Sequence, residues 1–234
     1  MVKRLTKLLA ILIILFGLAT AVTAGTAAKT TVLVSSRDTT LIEHARGELS
    51  NGAGSALFVG RTNQPGGSIR RGLVAFDLTD QIPTCAKVTS VKLNLNAERG
   101  KGGRVAIELH RLLQDWGEGN SNFDGGKGAP ATSGDATWTH TFYNNQIWNH
   151  PGGDFSPIPS AVEMVGGQGI YTWGSTPEMV NDVQLWLNSP QENFGWLLLG
   201  KEGKPKTAKR FASRETSNPS SQPQLEVSFH TNAC

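Results

Sequence analysis

Past its first two dozen residues the sequence contains no apolar run near the roughly 20 residues that cross a bilayer, and it holds only two cysteines, Cys85 and Cys234. Neither a membrane-spanning body nor a disulfide-dense mini-scaffold fits that inventory. A surplus of one charge is missing as well. Three of the 22 lysines and arginines, Lys3, Arg4 and Lys7, lie in the first segment, which leaves 19 to balance 19 Asp and Glu. The whole-chain net charge of +3 therefore gives no reason to expect nucleic acid as the partner. The five histidines, at 44, 110, 140, 150 and 230, lack zinc spacing such as H-E-x-x-H. There is no G-x-S-x-G elbow, P-loop or dinucleotide fingerprint, and no internal repeat or heptad.

What is present begins with a leader. Residues 1–24, MVKRLTKLLAILIILFGLATAVTA, run from basic residues through a short apolar stretch to small residues at Val22 and Ala24, the pattern of a secretory signal peptide cleaved after Ala24. An uncleaved anchor is the alternative. With the leader removed, residues 25–234 are expected as one domain without a membrane segment, secreted or at the cell surface. In an oxidising compartment Cys85 and Cys234 are expected to pair, the alternative being a free chain end at Cys234.

Strand patterns dominate. In VKLNLNA, Val91, Leu93 and Leu95 alternate with Lys92, Asn94 and Asn96, the period-2 mark of a strand with one wet face. Similar runs lie at 30–36, 39–43, 55–60, 71–78, 104–112, 194–200, 209–215 and 224–230, separated by turn clusters such as NGAG and NQPGG. The run 209–215 is expected to place Phe211, Ser213 and Glu215 on one face and Arg210 and Arg214 on the other. Two long Gly-rich segments, 114–136 and 144–169, have little periodicity, and Trp116, Phe123, Trp148 and Phe155 offer them anchors. One short helix is expected at STPEMVNDVQLWLN, with Ser175 and Glu178 as a capping box and a core stripe of Met179, Val180, Val183, Trp186 and Leu187. The fold class that follows is all-β: a jelly-roll β-sandwich with one short helix and two long loops.

The succession RRGLVAFDLTDQIPTCAKVTSVKLNLNA, LLQDWGEG, GDATWTHTFY, WNHPGGDF, WLNSPQENFGWLLLGKE, AKRFASRE and PQLEVSF, from about Thr31 to His230, resembles the DNRLRE domain family of secreted bacterial proteins. The resemblance implies a jelly roll akin to carbohydrate-binding modules, some attached to alginate-degrading enzymes, and elsewhere a surface or matrix role.

An acidic extracellular polysaccharide would explain outward arginines, because a guanidinium offers paired donors to a carboxylate. Arg70, Arg71, Lys206, Lys209, Arg210 and Arg214 are the candidate cations; Arg214 with Glu215 is alternatively a structural pair. Trp116, Trp148 and Trp173 are candidate sugar platforms, or loop anchors, whereas Trp186 and Trp196 belong to the core. The oxygens of Asp115, Glu118, Asn120, Asp124, Asp135 and Asp154 suit a structural calcium, although no EF-hand spacing exists. Self-association as a matrix protein is the competing role. An enzyme would draw on Asp115 with Glu118, or His140 with Tyr143.

Overall fold

The computed structural model describes residues 28–66, 68–100 and 102–231, so the expected leader and Cys234 lie outside the described residues. Cys85 is disulfide-bonded. Among the described residues fifteen strands and one α-helix follow in chain order. The first seven strands are β1 (Lys29–Val34), β2 (Arg37–Ile42), β3 (Leu49–Ser50), β4 (Ala56–Arg61), β5 (Ile69–Ala75), β6 (Lys87–Gly100) and β7 (Val105–Arg111). Five more, β8 (Ala129–Pro130), β9 (His140–Phe142), β10 (Gln146–Ile147), β11 (Ala161–Val165) and β12 (Gly169–Gly174), come from the long Gly-rich half. Helix α1 (Pro177–Asn188), β13 (Trp196–Leu199), β14 (Lys209–Ala212) and β15 (Gln224–His230) complete the chain. Among the described residues no helix is long and apolar enough to cross a membrane.

Eleven strands form one curled antiparallel sheet, with β1-β15-β6-β14-β4-β5-β13-β7-β11 as its path, β12 also on β6 and β2 also on β5. The chain turns the corner within β4. Leu57 and Phe58 pair with Phe211 and Arg210 of β14, whereas Gly60 pairs with Arg70 of β5. Gly60 has φ 109°, and a Cβ there would stand 3.0 Å from the Thr207 carbonyl, so the corner needs glycine. The alternation expected in β6 is realised: Val91, Leu93 and Leu95 are buried while Lys92, Asn94 and Asn96 face outward.

Curling brings the two halves over one core. Leu93, Leu95, Phe211, Leu225 and Val227 meet Val74, Ile107, Leu109, Trp196 and Leu198. Helix α1 closes this core with Met179, Val183, Trp186 and Leu187, and Trp186 meets Trp196 edge-on with ring centroids 4.4 Å apart. Its N-cap is Thr176 rather than Ser175: the Thr176 hydroxyl accepts from the Met179 N–H at 3.1 Å, and Ser175 Oγ instead accepts from Val91 N.

The half of the sheet built on β5 and β13 is apolar on both faces. Val74 and Leu198 enter the main core; Leu73 and Leu197, one residue away, point outward into a second cluster with Leu41, Leu112, Trp116, Ala136 and Trp148. The first Gly-rich segment and the start of the second are the cover for that face. Trp116 Nε1 donates to Phe194 O (2.8 Å) and Trp148 Nε1 to Thr137 O (3.0 Å), so each indole buries its ring and satisfies its one donor.

Trp116→Ala removes one of the two buried tryptophans of this second core. It is expected to cost about 3–5 kcal/mol and to expose the 113–160 segment to limited proteolysis while the curled sheet still forms, measured by urea unfolding and by mapping the first cleavage sites.

Candidate functional site

Two polar centres stand out, one at each end of β14. The first is acidic. Asp38 in β2, Glu118 just beyond the anchored Trp116, and Glu215 in the turn after β14 each offer a carboxylate oxygen, all within 4.8 Å of one another. Asp38 is 1% exposed because it shares the inward face of the sheet with its pairing partner Val74. Its Oδ2 accepts from Arg214 N (2.8 Å) and Ser35 Oγ (3.3 Å). Arg214 lies across the group: Nε and Nη2 fork onto Glu118 Oε1 and Oε2 at 2.6 and 2.8 Å, and Nε also reaches Glu215 Oε1 at 2.9 Å. Glu118 Oε1 accepts from the Asp38 N–H as well, at 2.7 Å.

Three carboxylates and one guanidinium leave this centre formally negative. Two of its buried oxygens, Asp38 Oδ1 and Glu215 Oε2, have no hydrogen-bond donor. Burial, followed by the Glu215 charge, pushes the Asp38 carboxyl well above the ordinary carboxylate range, although the Arg214 N–H opposes it. Glu215 is also raised by burial, against the pull of Arg214.

The opposite end is basic. The turns between β6 and β7 and between β13 and β14 lie against each other: a Cβ on Gly102 would meet the Lys206 carbonyl at 2.4 Å, and Lys209 Nζ donates to Gly103 O (2.6 Å) and Gly166 O (2.9 Å). Arg99, near the end of β6, and Arg104, Lys201, Lys204 and Lys206, on these turns, are exposed. Among the described residues none of the five makes an ion pair. The nearby acids Glu98 and Glu202 are committed to Arg210 (2.7 Å) and Arg71 (2.8 Å). Arg104 and Lys201 line a cleft of about 400 Å³ with Met164, Leu199 and Glu108, and Arg99 lines a neighbouring groove with Arg210 and Gln168.

Most of the residues expected to touch a ligand lie inside. Trp116, Trp148 and Trp173 are 0%, 3% and 0% exposed, so no ring face is open for stacking. Trp173 sits in β12, facing the core, with Nε1 on Ile107 O at 2.9 Å. Arg70 is buried with Nε on Gly126 O (2.5 Å) and its pKa lowered to about 10 by burial. Arg71 grips Glu202 and Gly152 O while stacking on Trp138, pinning loops rather than meeting solvent. Lys209 is buried together with Phe211, because β14 turns Lys209, Phe211 inward and Arg210 outward. Arg210 is half-buried against Glu98, with Asp124 at 3.5 Å. The expected strand 209–215 ends at Ala212: Ser213 starts a turn, its Oγ accepting from Glu215 N, so Arg210 and Arg214 do not share a strand face.

The calcium candidates are dispersed. Asp135 accepts from the Ser121 hydroxyl, Thr132 N and Asn120 N, and Asp154 from Asn149 N and His150 N; both staple their own loops. Asp115 pairs with Arg37 at 2.7 Å, and the Asp124 side chain is 91% exposed. Glu118 alone of that set joins the acidic centre. Asp38 and Glu215 escaped because neither lies in a loop with metal-like spacing; the available signal for Asp38 was a charge inside RDTTLI, a strand buried almost throughout. His140 and Tyr143 meet edge-on at 5.2 Å, with His140 Nδ1 near the Thr137 and Thr139 hydroxyls. A cavity of about 610 Å³ lies beside Arg37, Asp77, Asp80, Trp186 and Asn193, and none of the expected ligand residues lines it.

No family model matches the chain, and no curated protein matches it significantly.

Removing the guanidinium leaves three carboxylates to repel one another. Arg214→Leu is expected to destabilise by about 1–3 kcal/mol at pH 7. The loss should shrink toward pH 4.5, where protonation relieves the repulsion, as read from urea unfolding at both pH values.

Proposed function

We propose that the protein is a secreted or cell-surface jelly-roll module of the DNRLRE type that binds an acidic, uronate-containing polysaccharide through its basic end, without chemistry of its own. The observation that carries this reading is the set of five exposed cations, Arg99, Arg104, Lys201, Lys204 and Lys206, on and beside two touching turns of a chain whose charges balance outside residues 1–24. Such a field is local, and it suits a polymer carrying carboxylates at regular intervals. Arg104 and Arg99 supply forked donors; the lysines supply point charges around the open clefts. Lys209, just after the β13–β14 turn, ties the β6–β7 turn to the β11–β12 turn through the Gly103 and Gly166 carbonyls, so the cations are presented on a fixed base. Buried tryptophans place the weight on charge rather than on ring stacking.

A second reading draws on the sheet edges. Val32 and Val34 on β1 are 56% and 46% exposed, and Val162 and Met164 on β11 are 51% and 42% exposed. Edge strands with apolar side chains favour self-association, which sedimentation at raised concentration would reveal.

Binding to a polyuronate should weaken about ten-fold or more between 50 and 500 mM NaCl, and a neutral glycan of equal length should not bind. Lys201→Glu with Lys204→Glu should cost at least about ten-fold in affinity, whereas Lys87→Glu, at the far end of β6, should leave it unchanged. Salt-insensitive binding, or preference for the neutral chain, would overturn the proposal.

A further inference from the structure

We propose that Asp38, Glu118 and Glu215 form a calcium site, with Asp38 Oδ1 and Glu215 Oε2 as direct ligands. This site is separate from the basic end and does not depend on what binds there.

The geometry matches a calcium ion. One oxygen from each carboxylate lies within 4.8 Å of those from the other two, the separation of ligands on opposite sides of an ion bound at about 2.3–2.6 Å. Magnesium holds its ligands at about 2.0–2.1 Å and keeps more of its water, so an open set of carboxylates favours the larger ion. Among the described residues no His or Cys joins the group, which argues against zinc or copper.

An independent observation points to the same occupant. Asp38 is 1% exposed, yet its Oδ1 receives no donor; Glu215 Oε2 is likewise buried and unpaired. Arg214 satisfies both Glu118 oxygens and Glu215 Oε1, and its backbone N–H satisfies Asp38 Oδ2, so the two oxygens left over are those available to a second cation. A buried carboxylate oxygen without a partner is costly, and a divalent cation removes that cost for both at once. Exposure of Glu118, Glu215 and Arg214 at 17%, 22% and 39% leaves a path for the ion and for completing waters.

The ligands come from three distant segments: the start of β2, the stretch that follows Trp116, and the turn after β14. Calcium here would clamp the outer cover of the sheet to its inner rim.

The test is thermal unfolding and titration calorimetry of the chelator-treated protein with CaCl2 and with MgCl2. The expected result is one calcium per chain and a rise in Tm of about 5–10 °C at a hundred-fold excess over Kd, with a much smaller response to magnesium. Asp38→Asn should lose the calcium response while melting in chelator no lower than the native protein, since the amide removes a buried charge and brings its own donor. Glu215→Gln should weaken calcium binding at least ten-fold. Absence of any calcium-dependent heat or Tm shift in the native protein would overturn the proposal, as would a full response in both folded variants.

Discussion

The strands β5 and β13 bury apolar side chains on both faces, and most of the molecule is arranged to meet that requirement. Val74 and Leu198 are covered by the curl of the sheet itself; Leu73 and Leu197 have only the long Gly-rich segment to cover them. Burying each such side chain is worth about 1.5–3 kcal/mol, which is enough to hold an irregular segment in place. Trp116 and Trp148 supply the area, and their indole N–H groups are met by carbonyls. The polar residues of the segment then serve it from within, as Asp135 and Asp154 do by accepting backbone N–H groups.

The ten residues AKRFASRETS, 208 to 217, run between the two polar centres. Lys209 is anchored beneath the basic turns, Arg210 lies half-buried against Glu98, Phe211 enters the core, and Arg214 and Glu215 belong to the acidic group. Strand β14 and the turn that follows it carry Lys209 to the basic end and Glu215 to the acidic centre. One short stretch thereby sets the polarity of a chain whose formal charges cancel outside residues 1–24.

Much of the sheet was legible in the sequence. Strands such as β6 and β15 alternate because one face is wet, and alternation survives in the sequence as a period of two. The helix was legible from its apolar stripe, with the cap displaced by one residue to Thr176. What stayed hidden depends on contacts distant in sequence. β12 reads GIYTWG, flanked by glycines, and becomes a strand because Ile170 to Gly174 find an edge of β6. Tryptophans in Gly-rich stretches look like exposed platforms until the second apolar face of the sheet is known. Asp38 looks like a strand boundary, and its role emerges only when residues 80 and 177 positions away arrive beside it. The five basic-end cations fall in and beside two turns about a hundred residues apart, so composition and spacing do not reveal that they adjoin.

Amide hydrogen exchange of the protein with and without a uronate oligosaccharide would test recognition at the basic end most directly. Binding there predicts slowed exchange concentrated in the β6–β7 and β13–β14 turns, around Arg104 and Lys201 to Lys206. Unchanged exchange in both turns, with the oligosaccharide bound and protecting another surface, would contradict it.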